Sequence, residues 1–446
     1  MITGLLGRRV ALIGWLLAIA AVWLAWRGAN LRATFIPTDL VAWKNDSAVV
    51  FRCISQKDMQ LPCAGVSKFP LAYLANAALY GFVPGRGDHA ISVLNIVALA
   101  LPLLALTVIH GLAALCRAGW PYVLAISLSP LPVYYIATGA LEVQAGIVCG
   151  LYIGAFAHML ASPELASSKR AAWVLAISGF VFPLYKDTVA PLVGMAVTAT
   201  LAWSLPSLRA LAASATGRRQ LWRAGLLAAA PVLLAQMLDL AYCWFKYGVP
   251  LPVSYLGEAK LTGPSYAKSA EFLAGSVLSP NGGILIFWGL PVLAVIAGWR
   301  VAGLVPRRHV VVLAVTLVTV SCLLLARWWA PFGWDSWGDR LMVPAVLSAL
   351  AGFTLCLRPR QQKEPALSLP VCLACLPLVA CSTYYMAVPY VMPQGRGLPA
   401  SLWSGPACGH MQDRMATDAV TQGLSFWKSD AYYACARERM LYVPRP

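Results

Sequence analysis

Long apolar runs alternate with short polar segments from residue 8 to residue 388. Each run approaches the length of about 20 residues that an α-helix needs to cross a hydrocarbon core. Backbone groups in lipid must be paired within a helix or a closed barrel, and barrel strands would alternate polar and apolar residues. The pattern therefore predicts an all-α polytopic membrane protein of about eleven spans. These spans are 8–27, 89–115, 120–138, 143–161, 171–186, 188–204, 224–245, 281–299, 309–328, 341–357 and 367–388.

One further apolar stretch, FPLAYLANAALYGFV at 69–83, is short for a span and is bounded by Pro70 and Pro84. We interpret it as a helix that lies at the interface or re-enters the membrane. If it crossed, every later orientation would invert. Charge favours eleven spans, because cytoplasmic loops carry an excess of Lys and Arg. With the N-terminus inside, only Glu164 and Glu364 oppose the basic residues of the cytoplasmic segments.

Composition agrees with this topology, since 60% of the residues are hydrophobic and 11% are charged, with a formal net charge of +17. A positive charge of this size in a soluble protein would suggest nucleic acid, but here positive-inside loops account for it. No nucleic-acid partner is therefore expected. The first apolar run is longer than a signal core and lacks a small-x-small cleavage site, so it is interpreted as an anchor.

The chain divides at Tyr390, where the apolar pattern gives way to a polar tail. The prediction is a transmembrane domain at 1–390, with a first outer loop at 28–88, and an outer subdomain at 391–446. Both segments that are predicted to face the oxidising side contain a cysteine pair, so we predict the disulfides Cys53–Cys63 and Cys408–Cys435. The one CxxC spacing, Cys372 to Cys375, falls inside a predicted apolar span, and no HxxxH spacing occurs, so no metal site is predicted.

Three outer segments, 28–88, 246–280 and 329–340, are longer or more polar than a connection requires. The first contains four aspartates, of which Asp39 and Asp46 come a short distance after the first span. A loop carboxylate beside a membrane bundle is solvated by default, so the surrounding motifs decide whether either one has a chemical role.

The motifs occur in a recognisable order. NDSAVVFRCISQKDMQLP contains Asp46 and is followed by SKFPLAYLANAALYGFVPG, FVFPLYKDTVAPLV, WFKYGVPLPVSY, SPNGGILIFWGLPVL and WWAPFGWDSWGDRLMVPAVL. In this order and spacing the chain resembles the GT-C superfamily of integral-membrane glycosyltransferases, in the branch of protein O-mannosyltransferases and bacterial aminoarabinose transferases. The resemblance covers roughly 40–350. Lys68 stands where that family commonly has His, and Asp339 precedes Arg340 where the family has no such acid.

The resemblance implies an enzyme of the bacterial inner membrane that transfers a sugar from a polyprenyl-phosphate donor to a glycan, lipid or protein on the outer face. The N-terminus would be cytoplasmic and the C-terminus periplasmic or extracellular. Asp46 would be the catalytic base, with Asp39 as the second candidate. Arg340, Lys186 and Lys246 would bind the donor phosphate, and Lys68, Trp334, Trp337 and Tyr255 would line the substrate site. A divalent cation is left open as a cofactor.

Other interpretations remain open at this point. Basic residues at span ends also arise from snorkelling towards water, and the tryptophans at 328–337 also suit an aromatic belt. Glu142, Asp239 and His110 fall within or beside spans, where ionisable groups are functional candidates by default. Glu142 and Asp239 lie near predicted span ends, which favours an ordinary structural role, and a lone histidine such as His110 is more often a packing residue. The alternative functions are a lipid-glycan flippase, which would require paired ionisable residues at mid-span, and a non-catalytic scaffold.

Overall fold

The computed structural model describes residues 11–23, 71, 75, 87–129, 141–161, 169–250, 266–278, 283, 284, 288, 308–327 and 340–356. Every regular element in these ranges is helical. The helices are α1 (Ala11–Trp23), α2 (Gly87–His110), α3 (Leu112–Ser127), α4 (Leu141–Ala161), α5 (Lys169–Tyr185), α6 (Val189–Trp203), α7 (Leu205–Ala212), α8 (Ala215–Tyr247), α9 (Tyr266–Leu278), α10 (Arg308–Leu325) and α11 (Val343–Cys356). A 3₁₀ turn, Arg340–Met342, leads into α11.

The all-α prediction is confirmed for these residues, and most predicted spans coincide with one helix. Two described helices are long and apolar enough to cross a membrane, over Leu141–Leu160 and Ala215–Phe245, and the bent pair of α6 and α7 is a third candidate. The predicted spans 281–299, except for three residues, and 367–388 lie outside the described residues, as do the tail and most of 28–88. The count of eleven spans therefore stays a prediction.

The boundary between the second and third predicted spans is wrong. The sequence pattern continues one span to residue 115, whereas α2 ends at His110 and α3 begins at Leu112. The residue between them is Gly111, whose φ of 85° lies in the left-handed region that glycine tolerates best. The two helices reverse direction there and run side by side, since the Tyr122 hydroxyl donates to the Leu99 carbonyl at 2.9 Å.

Helix α4 lies at the centre of the bundle, because 94% of its most apolar stretch, within Leu141–Leu160, is buried inside the protein. Its glycines Gly146, Gly150 and Gly154 recur every four residues and lie on one face. A Cβ atom at Gly150 would come within 2.5 Å of the Ala351 Cβ and 2.7 Å of the Ser348 carbonyl oxygen on α11. The absence of side chains on this face is therefore what lets the two backbones approach.

Hydrogen bonds reinforce the same contact. The Ser348 hydroxyl of α11 lies 2.9 Å from the Gly146 carbonyl oxygen of α4 and 2.6 Å from the Pro344 carbonyl of its own helix. A Cβ at Gly146 would meet Pro344, and one at Gly154 would meet Leu355, so the two helices run in the same direction.

Helices α5 and α8 pack on another side of α4 through an aromatic contact. The Tyr152 ring of α4 lies 5.3 Å from the Phe182 ring of α5, and its hydroxyl donates to the Ala228 carbonyl of α8 at 3.2 Å. Only 17% of the most apolar stretch of α8, within Ala215–Phe245, is buried, and the side chains of Leu233 and Met237 are exposed. Such a continuous apolar surface is that of an integral membrane protein facing lipid.

The described charges segregate between the two ends of the bundle. The acidic residues whose side chains the structure describes all belong to one end, which also holds Lys186 and which we call the ion-pair end: Glu142, Asp187 and Asp239. At the opposite end, which we call the basic end, the described side chains carry only basic charges: Arg117, Lys169, Arg170, Arg209, Arg218, Arg219 and Arg223. This asymmetry is what the positive-inside pattern predicts.

Replacement of Gly150 by alanine tests the α4–α11 contact. The added methyl group has no room, so we expect the free energy of unfolding to fall by about 1–3 kcal/mol, measured as thermal unfolding of the purified protein in detergent. Gly194→Ala in α6 is the matched control, because nothing lies within 4 Å of its Cβ position. Equal stability of the two variants would contradict the packing described above.

Candidate functional site

A buried ion pair lies where α4 begins and α5 ends. The ammonium nitrogen of Lys186 is 2.6 Å from Oε1 of Glu142, and the two side chains are 13% and 10% exposed. Glu142 is in the first turn of α4, where a negative charge also interacts favourably with the helix dipole. Lys186 directly follows α5, and its backbone N–H still donates to the Phe182 carbonyl at 3.2 Å.

This geometry excludes the snorkelling interpretation for Lys186, which the sequence left open. A snorkelling lysine extends into water, whereas Lys186 is held against a carboxylate in a largely buried position. An ion pair removed from water is stable only when both charges are present, and the loss of either one is strongly destabilising. Lys186 is therefore a fixed positive charge at the ion-pair end.

Two further carboxylates border the pair. Asp187 follows Lys186 and accepts a hydrogen bond at 2.8 Å from the Thr188 backbone N–H, which begins α6. Asp239 of α8 belongs to the same end of the bundle and is only 6% exposed. The ion-pair end therefore holds three described carboxylates together with Lys186.

A pair of buried amides occupies another face of α4. Nε2 of Gln144 donates to Oδ1 of Asn95 on α2 at 3.0 Å, and the two residues are 2% and 0% exposed. Oε1 of Gln144 is buried without a hydrogen-bond partner among the described residues. The start of α4 is therefore polar on two faces. The middle of the helix, in contrast, consists of glycines and residues with alkyl side chains.

The structure brings the three predicted phosphate-binding residues to the same end. Arg340 opens the turn before α11, which runs parallel to α4, so its backbone lies at the level of Glu142. Lys246 is in the last turn of α8, about 10 Å beyond Asp239 along the helix axis. Gly248, with φ of 69°, terminates that helix.

The other predicted site residues lie outside the described residues, so their roles stay predictions. They are Asp39, Asp46, Lys68, Tyr255, Trp334 and Trp337, together with Cys53, Cys63, Cys408 and Cys435 of the predicted disulfides. Within the part of the chain that the structure describes, His, Cys, Asp and Glu form no group of three or more that could hold a metal ion.

A second polar cluster lies at the basic end. Nε2 of His110 is 3.1 Å from Nε2 of His158 and 3.1 Å from the Leu355 carbonyl, which His158 also contacts. Leu355 is in the last turn of α11, where helix carbonyls lack partners within their own helix. The two imidazoles thus join α2 and α4 to the end of α11, which supports the interpretation of His110 as a packing residue.

Two features of the ion-pair end were missed from the sequence. Glu142 was interpreted as an ordinary residue at a span end, and its partner is distant in the chain, so spacing gave no signal. Arg327, after α10, lies 4.6 Å over the Tyr266 ring and donates to the Ser269 hydroxyl at 3.3 Å. Helix α9, which carries both partners, falls in a segment that was interpreted only as a polar loop.

Two solved structures of ArnT from Cupriavidus metallidurans are similar to the chain. The structure bound to undecaprenyl phosphate matches with a TM-score of 0.49 and 16% identity, over 96% of this chain and 77% of that one. The apo structure matches with a TM-score of 0.48 and 16% identity, over 97% and 77%. No protein-family model and no curated protein sequence matches the chain. Likeness at this level does not assign an activity.

A double-mutant cycle tests the ion pair. Glu142→Gln and Lys186→Met each leave one buried charge without its partner, so we expect each to lower the unfolding temperature more than the double variant does. The coupling between the two sites should be about 0.5–3 kcal/mol. Thermal unfolding of the four proteins measures it, with Lys169→Met as the control for an exposed lysine. Additive effects would show that the two side chains do not interact.

Proposed function

We propose that the protein is a glycosyltransferase of the bacterial inner membrane, which transfers a sugar from a polyprenyl-phosphate donor to a glycan, lipid or protein acceptor. The reaction takes place at the ion-pair end, on the outer face, with the N-terminus in the cytoplasm. The observation that carries the proposal is the buried Lys186–Glu142 pair at the end that also holds Arg340 and Lys246. The order of the motifs along 40–350 supports it independently.

Binding of the donor requires positive charge at the depth of its phosphate group. The ammonium of Lys186 has three N–H donors, of which the contact with Glu142 uses one. The remaining two are available to phosphate oxygens, and the contact with the carboxylate restricts the rotamers of the lysine. The backbone of Arg340 lies at the same level of the bundle as Glu142. A guanidinium can bind phosphate through two parallel hydrogen bonds. Lys246 is the third phosphate-binding residue.

The chemistry then requires one base. The acceptor hydroxyl oxygen attacks C1 of the sugar, the bond from C1 to the phosphate oxygen breaks, and polyprenyl phosphate leaves with the electron pair. Asp46 takes the hydroxyl proton, and Asp39 is the second candidate for this role. Because phosphate is a good leaving group, no second carboxylic acid is needed, in contrast to glycoside hydrolases. The displacement inverts the configuration at C1.

The remaining predicted residues shape the site. Trp334, Trp337 and Tyr255 would stack against sugar or acceptor, and Lys68 would add charge near the phosphate. A divalent cation stays open as a cofactor. The alternative function, a lipid-glycan flippase, requires paired ionisable residues at mid-span. The described ion pair instead lies at a helix end, and the middle of α4 is packed with glycine and alkyl side chains, so the transferase is the better proposal.

Substitution of the two loop aspartates tests the reaction. Asp46→Asn should lower kcat by about 10²–10⁴-fold, because it removes the general base, whereas Asp39→Asn should leave kcat near that of the wild type. The measurement is transfer of labelled sugar from polyprenyl-phosphate donors to a membrane extract by the purified protein. Equal activity of both variants would overturn the assigned base, and no transfer by the wild type with any donor would favour the flippase.

Substitution of the cations tests the donor site separately. Arg340→Gln should raise the KM for the donor more than it lowers kcat, because its hydrogen bonds to the phosphate form in the ground state as well as in the transition state. Arg327→Gln is the matched control at the same end, since its guanidinium contacts Tyr266 and Ser269. An unchanged KM in Arg340→Gln would remove that residue from the phosphate site.

A further inference from the structure

The basic end has a corner that the proposed transferase reaction does not use. Helix α6 runs from Val189 at the ion-pair end to Trp203 at the basic end, and α7 then departs from it by 66°. No residue of α7 is buried, although the helix contains Leu205, Leu208 and Leu211. A short exposed apolar helix that turns away from a membrane-crossing helix lies close to the plane of the interface.

Four arginines surround this corner, all with exposed side chains: Arg209 of α7 and Arg218, Arg219 and Arg223 of α8. We call them the arginine corner. The sequence contains no Asp or Glu between Asp187 and Asp239, so no neighbour in the chain neutralises them. A cluster of this size beside a membrane attracts anionic lipid, at roughly 1 kcal/mol for each basic residue, or about fivefold in affinity.

The corner is held in a fixed geometry. Ser214 caps α8 by accepting a hydrogen bond from the Gly217 backbone N–H at 2.9 Å. Arg218 donates to the Ala212 carbonyl, the last residue of α7, at 3.1 Å. The end of α7 is therefore joined to the first turn of α8. Because the positions of the arginines are set by the fold, headgroup binding requires little ordering of the backbone.

Aromatic side chains place the corner at the depth of lipid headgroups. Trp203, at the end of α6, is 68% exposed, and Trp222, in the second turn of α8, is 71% exposed. Tryptophan is enriched where a membrane meets water, because its ring is apolar and its N–H is polar. Exposed tryptophans beside the arginines favour a lipid over an acidic protein segment, which would not need the apolar contact.

We propose that the arginine corner binds the headgroups of anionic phospholipids in the leaflet at the basic end. The phosphate groups of the lipids would contact Arg209, Arg219 and Arg223, while Trp203 and Trp222 contact the acyl chain boundary. This surface lies at the end of the bundle opposite to Lys186, so the proposal is independent of the glycosyltransferase reaction.

Native mass spectrometry of the full chain in detergent tests this binding, with phosphatidylglycerol and phosphatidylcholine of the same acyl chains as probes. The wild type should retain phosphatidylglycerol in preference to phosphatidylcholine. The triple variant Arg209→Gln, Arg219→Gln and Arg223→Gln should bind phosphatidylglycerol about 10²-fold more weakly. Arg218 is left in place because of its bond to Ala212, and thermal unfolding confirms that the variant is folded.

The control is the triple variant Arg117→Gln, Lys169→Gln and Arg170→Gln, which removes the same charge from exposed residues of the basic end outside the corner. It should bind phosphatidylglycerol nearly as well as the wild type. Equal weakening in the two triple variants would overturn the proposal, because diffuse charge would then explain the binding. The proposal would also be overturned if the wild type retained both lipids equally. The same holds if it bound an acidic peptide but did not bind phosphatidylglycerol.

Discussion

The close approach of α4 and α11 is the constraint on which the rest of the bundle depends. Three glycines on α4 remove the side chains that would separate the two backbones, and α4 is thereby enclosed by α2, α5, α10 and α11. Lipid gives no hydrophobic driving force between helices, so this packing and the hydrogen bond from Ser348 to Gly146 provide the attraction. The parallel course of the two helices also brings Arg340 to the level of Glu142.

The polar groups are arranged around this apolar centre according to depth. At one end, a lysine, carboxylates and buried amides converge where three helices begin or end. At the other end, about 24 Å away along α4, two imidazoles share the Leu355 carbonyl. The middle of α4 separates the two clusters with Gly150, Ile153 and other residues that carry no charge. A charge at the ion-pair end is therefore insulated by protein from the opposite surface.

The sequence predicted the helices well because apolar runs and helix length are linked in a membrane. It failed at Gly111, where a glycine turn interrupts an apolar run that contains no charged residue and has only His110 directly beside the turn. The place of Lys186 at a helix end could be predicted because the end of an apolar run is a local feature, while its role as a phosphate-binding residue stays a prediction. Its pairing with Glu142 depends on how α4 packs against α5, and neither partner indicates the other in the chain. The role of Asp46 depends on residues that the structure does not describe.

The turn at Gly111 has a consequence for how the bundle can move. Helices α2 and α3 are antiparallel, packed through the bond from Tyr122 to Leu99, and separated by one residue. A connection this short leaves no slack between the two helices. The orientation of α2 therefore fixes that of α3, and neither helix can shift along its axis without the other.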